Sequence, residues 1–339
     1  MPGSHDEKLF KLDSPFGDPL RHTLFAMMRR PLSRLLCLER LNQVYADLQE
    51  HDQDADFIER VLGYLHVDCT LSEAYAKRIP ASGPVVVVCN HPFGVVEGLI
   101  LTKILRDVRP DVRIMANHML GLVPEMDQYL IPVDPFGRTE SAKKNISGMK
   151  AALRWLKDGG MLGVFPAGEV ASLRVKKGMV VDPEWSPTVA RIIQKTGASA
   201  LPVFFSGRNG ALFQTMGLIH PRLRTVMLPR ENLKRSGGNV DIAVGNPIPA
   251  KKLQALDSPE ELIKYLRFRT YVLSKRGARK PPRQDRMQAR PAPLARPVPP
   301  ERIAAEVAAL PPGQILLKSG RYMVFEGGAE QLPGVLEEL

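Results

Sequence analysis

The run Val85-Val86-Val87-Val88-Cys89 constrains the fold more than any other stretch of the chain. An uncharged, β-branched segment of this kind reads as a strand buried on both faces, as in a parallel sheet covered by helices. It ends at Asn90-His91-Pro92-Phe93-Gly94, and Glu97 follows His91 by six positions. A His at the C-terminal end of a central strand, with an acid close by, is how an α/β enzyme presents a general base. On one continuous helix, six residues rotate by about 600° and rise by about 9 Å, so the two side chains would diverge. They meet only if His91 stays in the loop and the helix begins after it. Pro92 and Gly94 punctuate the turn, and a helix is expected over about 96–107. Its first turn then carries Glu97, where the dipole favours a carboxylate. A lone His in such a turn is more often structural, and the weight shifts here because further motifs follow.

Three more blocks end in polar or glycine-bearing turns. They are Leu130-Ile131-Pro132-Val133-Asp134-Pro135-Phe136-Gly137-Arg138, then Val164-Phe165-Pro166-Ala167-Gly168-Glu169-Val170-Ala171-Ser172, then Leu201-Pro202-Val203-Phe204-Phe205 followed by Ser206-Gly207-Arg208-Asn209. In this order the four blocks resemble the motifs of the PlsC-like glycerolipid acyltransferases, from about residue 10 to about residue 276. The family's first motif is His, four spacers and Asp. Five spacers and a Glu stand here, and the Asn-His-Pro-Phe-Gly wording is similar to a bacterial subgroup with the longer spacing, the hemolysin-like or ornithine-lipid-type O-acyltransferases.

The resemblance implies an α/β fold: a mixed, mostly parallel sheet flanked by helices, with N-terminal helices and a flexible C-terminal extension. It implies an O-acyltransferase that moves a fatty acyl group from a thioester to the hydroxyl of a lyso-lipid, either lyso-ornithine lipid or a lysophospholipid. The catalytic pair would be His91 and Glu97. Asn90, Pro92, Phe93, Gly94, Arg138, Phe165, Pro166, Gly168, Glu169, Pro202 and Arg208 would bind substrate. No bound cofactor and no metal are expected, and the acyl donor is acyl-CoA or an acylated acyl carrier protein. The competing reading is a non-catalytic lipid or acyl-carrier binding protein on the same scaffold.

The third block departs from the family's usual Phe-Pro-Glu-Gly-Thr-Arg-Ser. Ala167 and Val170 stand where the Glu and Arg associated with an acceptor phosphate are usual, and Glu169 stands where Thr is usual. A phosphate wants Arg, Lys or a nest of amides. Arg174, Lys176 and Lys177 either supply that charge or coat a surface loop. A zwitterionic or amino-acid-derived lyso-lipid fits at least as well. Arg224 and Arg230 either bind a headgroup or form surface ion pairs.

The chemistry follows from the residue types. A lipid hydroxyl is a poor nucleophile until a base takes its proton, and an imidazole suits that task near neutral pH. Glu97 would orient the ring and stabilise the imidazolium. No Ser or Cys nucleophile is required, and Cys89, inside the apolar run, reads as a buried small hydrophobe. Gly94 and Gly168 are candidate amide donors to a developing oxyanion. His118 is expected in a loop lining the acyl site. The 7 His and 3 Cys show neither metal spacing nor a disulfide framework.

The net charge of +11 is unevenly placed. Between Lys275 and Pro300 stand eight basic residues against one acid, Asp285, with seven prolines, so this stretch holds most of the excess. It reads as an extended Pro/Arg-rich linker. Aromatic interleaving is lacking there, which argues against a nucleic-acid partner and leaves membrane-surface contact or solvation. The expected organisation is an N-terminal helical, membrane-facing segment (1–70), an acyltransferase domain (71–274), the linker (275–300) and a fragment resembling the start of an N-acyltransferase domain (301–339). In the tail, a helix from Glu301 and strands at 314–318 and 322–326 are expected. Leu24 to Leu36 mixes apolar and basic residues and suits either an interfacial helix pair broken at Pro31 or a helix packed on the domain. The start lacks an apolar leader, and no run approaches about 18 apolar residues. The expected location is therefore cytoplasmic, peripheral on the inner face of the cytoplasmic membrane. Strands are expected near 84–89, 112–116, 128–133, 161–165, 199–205 and 239–245. Helices are expected near 17–30, 33–49, 55–65, 96–107, 140–157, 186–196 and 258–275.

Overall fold

The structure is a computed structural model, and it describes residues 9–12, 14, 17–50, 55–67, 71–134, 139–174, 178–219, 221–234, 240–274, 298–319 and 322–338. The chain divides into two compact units, residues 1–279 and 280–339. The first opens with helices α1 (Pro19–Leu35), α2 (Leu38–Glu50), α3 (Phe57–Tyr64) and the single turn α4 (Glu73–Ala76). Then come β1 (Val85–Cys89), α5 (Val96–Arg106), β2 (Val112–Asn117), β3 (Leu130–Val133), α6 (Thr139–Lys157) and β4 (Met161–Val164). A small hairpin follows, β5 (Ser172–Arg174) and β6 (Met179–Val181), and then α7 (Pro187–Thr196) and β7 (Ser199–Phe205). The unit ends with α8 (Ala211–Ile219), α9 (Pro221–Leu233), β8 (Ile242–Val244), α10 (Ala250–Gln254) and α11 (Pro259–Tyr271).

One six-stranded sheet runs in the order β3-β2-β4-β1-β7-β8. All neighbours are parallel except β8, which pairs antiparallel with β7 at one edge. The six strands expected from the sequence are the six strands of this sheet. Strand β1 lies between β4 and β7, with Val88 opposite both Val164 and Pro202.

The alternation of side chains along β1 builds two cores. Val85, Val87 and Cys89 join Ile58 and Leu62 of α3 and Ile100, Leu101 and Ile104 of α5 on one face. Val86 and Val88 join Leu156 of α6, Ile192 and Ile193 of α7, and Leu262 and Leu266 of α11 on the other. Every residue of β1 is buried. Burial on both faces is why no polar alternation appears in its sequence. Helix α7 is bounded by its own sequence: the Ser186 hydroxyl accepts from the Thr188 amide, Pro187 opens the first turn, and Gly197 closes the helix at φ 65°.

Three features differ from expectation. Helix α1 runs unbroken through Pro31, and the break falls at Cys37, which has φ 57°. A proline removes one ladder bond from an α-helix without necessarily ending it. The region after β7 forms a helical hairpin, α8 and α9, where no helix was expected, and the short hairpin β5–β6 was likewise not foreseen. His118 sits in a 3-10 turn, His118–Leu122, after β2.

The second unit holds a helix α12 (Pro300–Ala308), an antiparallel pair β9 (Ile315–Ser319) and β10 (Tyr322–Phe325), and a terminal helix α13 (Pro333–Glu338). The Glu306 carboxylate of α12 accepts from the Gly334 amide of α13. The linker residues 275–297 lie outside the described residues.

Candidate active site

The loops after β1, β4 and β7 meet at the C-terminal edge of the sheet, where the chain order reverses about β1. Open α/β sheets bind ligands at such a point. Asn90 extends the ladder past β1: its Nδ2 donates to the Phe205 carbonyl and its Oδ1 accepts from the Phe205 amide, both at 2.8 Å. His91 is the next residue. Its Nδ1 lies 2.9 Å from Glu97 Oε1. The same carboxylate oxygen accepts from the Phe93 and Gly94 amides, each at 2.8 Å. The turn 91–94 thus folds around the first turn of α5, and the six-residue spacing becomes a contact.

Glu97 is fully buried, whereas the His91 side chain keeps 16% of its surface exposed. Burial pushes the Glu97 carboxyl up. The His91 hydrogen bond and charge, with the Gly94 and Phe93 amides, outweigh burial and hold it below the usual range. With Nδ1 donating to Glu97, Nε2 on the far edge of the ring is the proton acceptor.

Several groups fix the turn. The His91 amide donates to Asp182 Oδ1 at 3.1 Å, and Trp185 Nε1 donates to Asp182 Oδ2 at 3.0 Å. Burial pushes the Asp182 carboxyl up, against the hydrogen bonds from Trp185 and the His91 amide. The His91 carbonyl accepts from the Ala171 amide at 2.7 Å. The Phe165 ring stacks on the imidazole, with centroids 4.4 Å apart. Asn209 Nδ2 donates to the Phe93 carbonyl at 3.1 Å. A Cβ on Gly207, which has φ 126°, would come within 2.6 Å of the Phe93 ring.

These contacts sort the expected residues. His91, Glu97, Gly94, Phe165 and Gly168 gather at the strand ends. Asn90, Pro92 and Phe93 are buried and hold the turn rather than open onto solvent. Pro202 lies inside β7, opposite Val88 and three residues short of the His91 level, with its carbonyl bonded to the Gly245 amide. Pro166 is buried, and its carbonyl accepts from the Ser186 amide. The amides of Gly94 and Gly168 are already engaged, by Glu97 and by the Phe165 carbonyl, so neither is a ready oxyanion donor. Arg208 is exposed in the loop after β7. Arg138, Lys176 and Lys177 lie outside the described residues, and Arg174 is exposed on β5. Cys89 is buried, and burial pushes its thiol well up, which makes it a poor nucleophile.

Asp182 and Asn209 lie far along the chain from the first motif, and the sequence offered no periodic signal for either. Helix α9 was the larger omission. Its residues 224, 228 and 231 share one face and touch all three strand-end loops. Arg224 pairs with Glu169 of the β4 loop at 2.8 Å. Leu228 packs on Gly94 of the β1 loop, where an added Cβ would meet its Cδ2 at 2.8 Å. Glu231 accepts from the Gly210 amide of the β7 loop at 2.9 Å. Beside it, Leu36 and Leu38 from the α1–α2 corner pack with Val170, Phe213 and Met227 into a small buried apolar cluster.

A buried carboxylate holds a part-exposed imidazole at the C-terminal edge of a mostly parallel sheet, an arrangement with the chemistry of a general base. A family model described as acyltransferase matches residues 17–278, and the chain belongs to that family. It is similar to the lyso-glycine lipid O-acyltransferase of Phocaeicola vulgatus, 25% identical over 64% of this chain and 77% of the relative. The lyso-glycine lipid O-acyltransferase of Bacteroides thetaiotaomicron is 23% identical over 71% of this chain and 88% of the relative. Among solved structures, the 1-acyl-sn-glycerophosphate acyltransferase PlsC of Thermotoga maritima matches 76% of this chain and 99% of its own, at 18% identity and a TM-score of 0.42.

Proposed function

We propose that this acyltransferase is a lyso-lipid O-acyltransferase acting in membrane lipid biosynthesis, with His91 as general base and Glu97 as its orienting acid. The observation that carries this reading is the 2.9 Å contact between His91 Nδ1 and Glu97 Oε1. The names of the two lyso-glycine lipid O-acyltransferase relatives support the choice of an amino-acid-derived acceptor. Ala167 and Val170, in place of the usual phosphate-associated Glu and Arg, point the same way.

In the proposed reaction, His91 Nε2 takes the proton of the acceptor hydroxyl as that oxygen attacks the thioester carbonyl carbon. The buried Glu97 carboxylate stabilises the imidazolium while the tetrahedral intermediate exists. The carbon–sulfur bond then breaks, and the imidazolium proton passes to the departing thiolate. An ester, a free thiol and the original imidazole result. The donor is acyl-CoA or an acylated carrier protein.

The lipid acceptor implies a membrane surface. No described helix is long and apolar enough to cross a membrane. Helix α1 instead exposes Leu20, Leu24, Met27 and Met28 to solvent, interleaved with Arg21, Arg29 and Arg30. That mixture suits an interfacial helix on anionic lipid, with the protein peripheral on the inner face of the cytoplasmic membrane.

The test is lipid mass spectrometry of cells expressing wild-type protein or His91→Ala, supplied with lyso-glycine lipid, lyso-ornithine lipid and lyso-phosphatidic acid. A diacyl product that is lost in the variant supports the assignment. Product that persists in His91→Ala, or none from wild type, rejects it in favour of lipid binding without turnover.

A further inference from the structure

Arg224 is the cation that helix α9 brings to the loop of Glu169. The Arg224 side chain is only 12% exposed, whereas its partner Glu169 is 45% exposed. A guanidinium so far withdrawn from water needs an anion beside it. The anion it has is a half-exposed side chain on a glycine-containing loop. The loop is held at both ends. Phe165 at one end stacks on the His91 ring, and Ala171 at the other donates to the His91 carbonyl. The helix is equally anchored, by Leu228 on Gly94 and by Glu231 on the Gly210 amide. Arg224 also packs on Gly217 of α8, where any Cβ would overlap its side chain.

We propose that Arg224 binds a carboxylate in the headgroup of the lyso-lipid acceptor, and that Glu169 is the internal anion this carboxylate displaces. The inference rests on the lyso-lipid acyltransferase reading and adds the chemistry of the acceptor. A guanidinium fork matches a carboxylate with two parallel hydrogen bonds. The exchange replaces one monoanion by another beside the same guanidinium. Arg224 thus brings a cation to the third-motif loop, where Val170 stands in place of the usual Arg, from a helix more than fifty residues downstream. It is a specificity determinant, since the reacting atoms are held at His91.

The experiment compares kcat/KM for lyso-glycine lipid, for its methyl ester and for lyso-phosphatidic acid in wild type, Arg224→Gln and Arg224→Lys, with thermal melts of each. Wild type is expected to favour the free acid over the ester by roughly 10- to 100-fold, the value of a charge-assisted pair. In Arg224→Gln that ratio collapses towards one, mainly through KM, and Arg224→Lys recovers part of it. Equal losses on acid and ester would overturn the proposal. So would a wild type that does not discriminate between them, or an Arg224-dependent preference for lyso-phosphatidic acid. If Arg224→Gln fails to fold, Arg224→Lys, which keeps the charge and loses the fork, supplies the comparison, and an acid-to-ester ratio equal to that of wild type overturns the proposal. Failure of wild type to acylate any acceptor rejects the acyltransferase reading itself, and is seen before any variant is compared.

Discussion

Asn90 and Phe205 exchange two hydrogen bonds of 2.8 Å, so a side chain replaces the strand backbone one residue beyond β1. That exchange sets the height at which His91 leaves the sheet. Asn90→Ala leaves a buried amide and carbonyl unpaired, at about 1–3 kcal/mol per group. A loss of about 2–6 kcal/mol is expected in urea unfolding. Asn90→Asp should be worse, because it sets an acceptor against the Phe205 carbonyl and buries a charge. A fall in kcat/KM with unchanged stability would instead assign Asn90 to substrate.

His91→Ala should lower kcat by about 10²–10⁴-fold, and it should also lower the melting temperature, because the buried Glu97 carboxylate keeps only the Phe93 and Gly94 amides as partners. Glu97→Gln keeps an oxygen that can accept from His91 and the two amides, but it loses the charge that stabilises an imidazolium. It should lower both kcat and stability. Steady-state kinetics with calorimetry on the same preparations separates the two effects.

The buried carboxyls give stability two pH components of opposite sign. The folded Glu97 value lies below its ordinary value near 4.5. Its contribution is therefore complete above about pH 4.5 and is lost as pH falls through the folded value. The stability gap between wild type and Glu97→Gln should stay constant at higher pH and narrow on acidification. A gap that widens there would contradict the assignment. Asp182 is raised above its ordinary value near 3.8. Its contribution declines as pH rises from about 3.8 through the folded value, because the folded state holds the proton longer. Urea midpoints across acid pH measure both.

Gly207→Ala tests the Phe93 anchor. The residue sits at φ 126°, and an added methyl would come within 2.6 Å of a ring that is fully buried. Strain and overpacking together should cost about 2–4 kcal/mol. Activity should fall as well, since Phe93 shares the Glu97 oxygen with His91. Unchanged stability would mean that the loop after β7 yields easily.

Helix α1 is expected to carry vesicle binding. None of its residues is buried, so Leu24→Glu with Met27→Glu should leave the melting temperature unchanged. Flotation with anionic vesicles should be lost in the double variant. Retained flotation would move the contact elsewhere.

Much of the fold was legible because its signals are local. The Val85–Cys89 run could only be a strand buried on both sides, and the Ser186-Pro187 start and Gly197 stop of α7 are short-range chemistry. The six-residue step from His91 to Glu97 already required a loop followed by a helix. Helix α9 was not legible. It carries Pro221 at its start and Pro229 inside it, residues that ordinarily disfavour a helix interior, and a helix packed by α8 on one side and by three loops on another carries little amphipathic contrast.

The residues along the chain determined the α/β class, the order of the six strands in sequence and the pairing of His91 with Glu97. Only the tertiary structure decided which groups hold that pair. It spent Asn90, Phe93 and Pro202 on the scaffold and engaged the glycine amides. It brought Asp182, Asn209 and Arg224 to the site from 91, 118 and 133 positions beyond His91. Local propensity specifies an element from its own residues. Partners so far apart are chosen by how whole elements pack, and no short window of sequence contains that information.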